Sequence, residues 1–192
     1  MEALLYSTGV VALAEMGDKT QLLAFILATR FKKPWPIVAG ILAATLINHG
    51  LAGAVGAWVT AMLGPFWMRW ILGLSFIGMA IWTLIPDKIE DEETQVAHKL
   101  GVFGATFVTF FLAEMGDKTQ IATVAMAAHF ANPLWVIAGT TLGMLIADVP
   151  AVFLGDKLAE RIPMKLVHSI AAALFAVLGV ATLLGLGQSF GF

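Results

Sequence analysis

The heptapeptide Glu15-Met16-Gly17-Asp18-Lys19-Thr20-Gln21 returns unchanged as Glu114-Met115-Gly116-Asp117-Lys118-Thr119-Gln120, ninety-nine residues later, and each copy interrupts an otherwise apolar stretch. An ionisable side chain within a hydrocarbon-embedded helix costs several kcal/mol, so three of them in the same order, twice over, mark a working site and point first to an ion pathway. One isolated Glu-Lys pair at i, i+4, as in Glu15 and Lys19, is structural glue about as often as not. The duplication argues against that reading.

The surrounding chain fixes the class. Of 192 residues 59% are hydrophobic and only 12% charged, with a mean hydropathy of +0.88, where a soluble domain carries roughly 25% charged residues. The expected fold is an all-α membrane protein. The net charge of -2, with no basic run, offers nothing to nucleic acid, and the absence of cysteine removes disulfides, thiolate metal sites and thiol nucleophiles. Met1-Glu2-Ala3-Leu4 lacks the basic start of a secretory signal, so the first apolar stretch is expected to stay in the mature protein.

Six stretches approach the ~20 apolar residues that a bilayer crossing requires, near 4–29, 35–62, 66–86, 100–128, 134–154 and 164–188. They are separated by Arg30 to Pro34, Gly64-Pro65, the charged segment Asp87 to Lys99, Asn132-Pro133 and Asp156 to Pro163. The ninety-nine-residue offset also carries Phe31 onto Phe130, Pro34 onto Pro133, Ala39-Gly40 onto Ala138-Gly139, Phe76 onto Phe175 and Thr83-Leu84 onto Thr182-Leu183. The expected organisation is a three-helix repeat over 1–86, an acidic cytoplasmic linker over 87–99 containing Glu90 to Glu93, and a second three-helix repeat over 100–192. An odd number of spans per unit makes the second copy enter from the opposite side, giving inverted-topology repeats whose motifs meet near the midplane.

Charge asymmetry gives the orientation. Arg30, Lys32, Lys33, Lys88, Lys99, Lys157, Arg161 and Lys165 fall on one side and Arg69 alone on the other, which predicts that the first side is cytoplasmic and both termini lie outside. Trp35, Trp58, Trp67, Trp70 and Trp135 read as interfacial anchors, Trp82 less so.

On an unbroken helix Glu15 and Asp18 would be i, i+3 neighbours on one face, as would Glu114 and Asp117. Converging, the two pairs place four carboxylates around one small volume, a hard-oxygen environment suited to Mg²⁺, Ca²⁺ or Mn²⁺. Glu15, Asp18, Glu114 and Asp117 are therefore the expected metal ligands. Thr20, Thr119, Gln21 and Gln120 would add neutral oxygens or orient the acids. Gly17 and Gly116 would let the helices approach or the backbone unwind, and Lys19 and Lys118 would act as counter-charges, since an ammonium cannot coordinate a cation. Four carboxylates and two lysines leave two negative charges, neutralised by one divalent cation or by two protons. Mutually exclusive occupancy by the two is a mechanism for antiport. Asn48, His49 and Asp148, polar residues deep in the second and fifth spans, are candidate pathway residues; His49 aligns with Asp148 under the offset, and Pro150 should kink the fifth span. His98, His129 and His168 fall near span ends and read as surface. The methionines outside the motif read as packing.

These residues carry a resemblance. A twice-occurring Glu-x-Gly-Asp-Lys/Arg-Thr/Ser motif in two three-span halves is similar to the small family of Mn²⁺/Ca²⁺ cation/proton exchangers, which has Golgi members in eukaryotes and manganese exporters in bacteria. Both copies are complete and the likeness covers essentially the whole chain. It implies a transporter, not an enzyme, with no cofactor, Mn²⁺ and alternatively Ca²⁺ as transported ion, and protons as counter-ion. It implies the acidic motif residues as ion ligands and, by the short N-terminus and compact linker, a bacterial inner-membrane protein exporting Mn²⁺ from the cytoplasm. Among the alternatives, a passive cation channel needs no coupling to a pH gradient. An intramembrane aspartyl protease built on Asp18 and Asp117 leaves Glu15, Glu114 and both lysines without a task. The sequence leaves oligomeric order open.

Overall fold

The computed structural model describes residues 1–63, 65–85, 100–154 and 164–185, and among these the chain forms eight α-helices and no strand. They are α1 (Glu2–Glu15), α2 (Lys19–Phe31), α3 (Pro34–Met62), α4 (Pro65–Thr83), α5 (Gly101–Glu114), α6 (Lys118–His129), α7 (Pro133–Leu154) and α8 (Met164–Leu183). The linker, with Lys88, Glu90 to Glu93, His98 and Lys99, lies outside the described residues. So does the segment carrying Lys157 and Arg161.

The first and fourth apolar stretches are not single helices. Each is cut at the motif: Met16 and Met115 turn to extended backbone with ψ of 117° and 116°, then Gly17 and Gly116 take φ of 82° and 79°. Asp18 and Asp117 then cap the next helix from an extended conformation. The left-handed φ is one that only glycine adopts cheaply, so the break is written into the motif by its third residue. The i, i+3 and i, i+4 geometry expected of an unbroken helix is thereby lost. α3 and α7, by contrast, run uninterrupted, α7 continuing through Pro150.

α3 and α7 are the central pair. They pack on each other, α1 lies along α7 as α5 lies along α3, and α2 lies on α7 as α6 lies on α3. Glycines at matched positions allow the close approach: a Cβ on Gly139 of α7 would lie 2.5 Å from the Leu4 carbonyl oxygen of α1, and one on Gly40 of α3 2.7 Å from Thr106 of α5. α4 and α8 form a second pair, with Phe76 stacked on Phe175 at a 6.5 Å centroid separation. This pair sits against α1 and α6 and makes no comparable interface with α2 or α5.

Two apolar cores result. The first gathers Val10 and Val11 of α1, Phe76 and Met79 of α4, Met126 of α6 and Phe175 of α8. The second, at the other end of the molecule, gathers Leu23 and Leu27 of α2, Ile37 and Ile41 of α3, Phe110 of α5 and Val152 of α7, without a residue of α4 or α8. Between them lies the polar motif. The outside of the molecule is apolar instead: Leu46, Leu51, Val55, Leu142 and Ile146 project from the two long helices, while Glu15, Glu114 and Asp148 are fully buried. Polar groups inside and large aliphatics outside suit a hydrocarbon surround. α3 and α7 are each long and apolar enough to cross a membrane. Trp35, Trp58, Trp67, Trp70 and Trp135 are exposed, and Trp82 packs against the first core.

Candidate metal centre

The two breaks meet between the cores, so that two helix C-termini (α1, α5) and two helix N-termini (α2, α6) converge on one volume. Glu15 and Glu114 are the last residues of α1 and α5, where the negative end of the helix dipole favours a cation. Each glutamate is held in the same way. Thr20 Oγ1 donates to Glu15 Oε2 at 2.6 Å and Thr119 Oγ1 to Glu114 Oε2 at 3.1 Å. In each acid the other oxygen, Oε1, is buried with no hydrogen-bond partner.

The structure brings Glu15, Glu114 and Asp117 together, one carboxylate oxygen of each lying within 4.8 Å of the others. Asp117 Oδ2 is likewise buried without a hydrogen-bond partner. Asp18 stands apart from that trio; its Oδ2 is 3.0 Å from Lys118 Nζ, and both side chains are 1% exposed. The corresponding pair, Lys19 Nζ and Asp117 Oδ1, is 3.5 Å apart, with Lys19 18% exposed. Each lysine thus reaches the aspartate of the other repeat. The local Glu15–Lys19 pairing considered from sequence gives way to these crossed pairs because the helix that would align it is broken.

The glutamines staple the breaks. Gln21 Oε1 accepts from the Gly17 N–H at 2.9 Å and its Nε2 donates to the Ala147 carbonyl of α7 at 2.8 Å. Gln120 Oε1 accepts from the Gly116 N–H at 2.8 Å and its Nε2 donates to Asn48 Oδ1 of α3 at 3.3 Å. Asn48 Nδ2 in turn donates to the Phe111 carbonyl of α5 at 3.1 Å. Ala147 and Asn48 are equivalent under the ninety-nine-residue offset, so one repeat uses a carbonyl where the other uses an amide side chain. That asymmetry is invisible in a motif that reads identically twice.

His49 and Asp148, one residue beyond these anchors, are buried, and none of their side-chain polar atoms has a hydrogen-bond partner. Asp148 lies within electrostatic reach of Asp18, Glu15 and Glu114. Neither residue belongs to the carboxylate trio. His129, read from sequence as surface, is half-buried and lies edge-on against Phe76 and Phe130. The side chain of His168 lies outside the described residues.

Three clustered acids, each with one oxygen held and one buried without a donor, are the kind of oxygen-only group that could hold a hard cation. Thiolate and imidazole play no part in it. A family model described as divalent cation/proton antiporter GDT1 matches residues 3–91 and 102–189 of the chain. A protein of Vibrio cholerae named "Putative manganese exporter" is 50% identical over 95% of this chain and 90% of its own length. A GDT1-like protein of Synechocystis is 34% identical over 90% of this chain and 92% of its own. GDT1-like protein 5 of Arabidopsis thaliana is 27% identical, with 93% of each chain covered. No solved structure matches. With both halves of the chain covered and both motif copies complete, the protein is a member of the GDT1 family of divalent cation/proton antiporters.

Proposed function

We propose that this protein exports Mn²⁺ from the cytoplasm in exchange for protons, through a mid-membrane site built from the two motif copies. The observation that carries the proposal is the trio of Glu15, Glu114 and Asp117: each has a buried oxygen that accepts no hydrogen bond, and one carboxylate oxygen of each lies within 4.8 Å of the others. A divalent cation satisfies all three at once; when it leaves, protons are the species that can replace it without leaving bare buried charge. Glu15, Glu114 and Asp117 with the nearby Lys19 carry two net negative charges, and Asp18 is balanced by Lys118. One M²⁺ for two H⁺ is the exchange that keeps this site neutral.

The family supplies the antiport chemistry, and the Vibrio cholerae relative at 50% identity supports Mn²⁺ as the ion. Ca²⁺ is the second reading, favoured by one feature: the trio is all oxygen, and His49 does not join it as the softer donor that would select Mn²⁺.

The architecture goes with this function as two inverted three-span repeats, 1–86 and 100–192, joined by the 87–99 linker. In this reading α1–α2 and α5–α6 each cross the membrane as a broken helix. The paired contacts of α1 with α7 and α5 with α3, and a family model fitting stretches that start at residues 3 and 102, support it. The excess of Lys and Arg puts the α2–α3 connection on the cytoplasmic side of a bacterial inner membrane, with both termini outside. α1 and α6 are then the outer half-helices, α2 and α5 the cytoplasmic ones.

The test is Mn²⁺ uptake into proteoliposomes under an imposed pH gradient. Uphill accumulation that needs the gradient and disappears in Glu114→Gln supports the proposal, whereas uptake indifferent to the gradient makes the protein a channel.

A further inference from the structure

Two repeats with identical motifs would, if arranged with full two-fold symmetry, present two equivalent aspartates. The structure departs from that symmetry at two places that agree. First, the α4–α8 pair, whose Phe76 and Phe175 are equivalent positions, leans onto α1 and α6 and not onto their repeat equivalents α5 and α2. Second, the ion pair on α6, Lys118 with Asp18, is tight and dry at 3.0 Å and 1% exposure, whereas the pair on α2, Lys19 with Asp117, is looser at 3.5 Å with its lysine 18% exposed. The α4–α8 pair therefore packs on the helix that carries the tighter lysine, Lys118, while Lys19 of the looser pair, on α2, is the more exposed.

We propose that Glu15 and Glu114 are constant ligands and that Asp117 and Asp18 take turns as the third, the idle aspartate being held by the lysine of the opposite repeat. In the form described here Lys118 holds Asp18 and Asp117 serves the ion. With the outer half-helices α1 and α6 covered, this form faces the cytoplasm. When α4–α8 rocks onto α5 and α2, the arrangement inverts: Lys19 closes on Asp117, and Lys118 releases Asp18 to the trio. Each lysine is a positioning residue that stands in for the cation at the aspartate not in use. Every facing state then has one three-carboxylate site and no motif aspartate left without a cation.

This inference rests on the transport reading for its biological direction, but its test needs no ion. A buried pair loses far more on truncation of one partner than a hydrated pair does. Lys118→Met should therefore disfavour the present form more than the inverted one, and Lys19→Met should do the reverse. The experiment is hydrogen–deuterium exchange of full-length protein in lipid nanodiscs without divalent cation, comparing peptides from α2 and α5 with those from α1 and α6. In wild type the α2 and α5 peptides should exchange faster. Lys118→Met should invert the order, with a shift of about tenfold in relative rates, and Lys19→Met should keep or accentuate it. The double variant Asp18→Asn/Lys118→Met, which removes the pair without stranding a charge, should bring the two ends closer to equal. Both lysine variants shifting the ends in the same direction, loosening both ends alike, or changing neither would overturn the proposal. Mn²⁺ added afterwards separates the two readings: if it protects no form, the ion assignment fails while the lysine alternation stands.

Discussion

Lys118 of the second repeat binds Asp18 of the first at 3.0 Å, while Lys19 reaches back to Asp117 at 3.5 Å. These crossed pairs tie the two motif copies into one unit, so neither copy is a site alone. Substitutions in either copy should disable transport.

Glu15→Gln and Glu114→Gln should each abolish Mn²⁺ transport while leaving a folded, monodisperse protein, because the amide keeps the threonine contact but not the charge. Transport by both variants at wild-type rates in proteoliposomes would remove the trio as the ion site.

Thr20→Val and Thr119→Val should lower the affinity for Mn²⁺, about 10- to 100-fold by analogy with other groups that orient ligands. Each frees a glutamate oxygen now held at 2.6 and 3.1 Å respectively. Thr20→Ser, which keeps the hydroxyl, should restore most of the loss. Binding isotherms on purified protein make the comparison.

Gly17→Ala and Gly116→Ala should each destabilise the protein by roughly 1–2 kcal/mol, since both residues hold a left-handed φ. Beyond its own chain neighbours, no atom lies within 4 Å of a Cβ built on Gly116, so at that position the cost is conformational and not a clash with packed neighbours. Gly139→Val differs, pushing a side chain against the Leu4 carbonyl of α1, and should cost about 1–3 kcal/mol. Thermal unfolding in detergent ranks the three.

Mn²⁺ binding should weaken as pH falls. A carboxylate that has taken a proton cannot also ligate the ion, so each proton bound at the trio displaces cation and the apparent Kd rises. For two protons per cation, the apparent Kd in the proton-competing range should rise toward a hundredfold for each unit of acidification. A Kd independent of pH would contradict competition at the trio.

Much of this site is legible in the sequence. An identical heptapeptide in two apolar settings locates Glu15, Asp18, Glu114 and Asp117, and the spans near 35–62 and 134–154 coincide with α3 and α7 within a residue or so. The breaks in the other two motif-bearing stretches are harder to read, since apolar periodicity continues through them and only Gly17 and Gly116 signal an interruption. The inequality of Asp18 and Asp117 cannot be read from the chain at all. It accompanies the lean of α4–α8 onto α1 and α6, a tertiary choice between two sides that the motifs themselves make equivalent. The different anchors of Gln21 and Gln120 depend on the single exchange of Asn48 for Ala147, which acquires meaning only once α3 and α7 are seen in matching places.

The most direct test of the central claim is Mn²⁺ accumulation in proteoliposomes with and without an opposing proton gradient, wild type beside Asp117→Asn. Gradient-driven accumulation in the wild type that the variant loses, with its fold intact, is the predicted result. Equal accumulation by both proteins, or Mn²⁺ movement that ignores the gradient, would contradict a proton-coupled exporter working through these carboxylates.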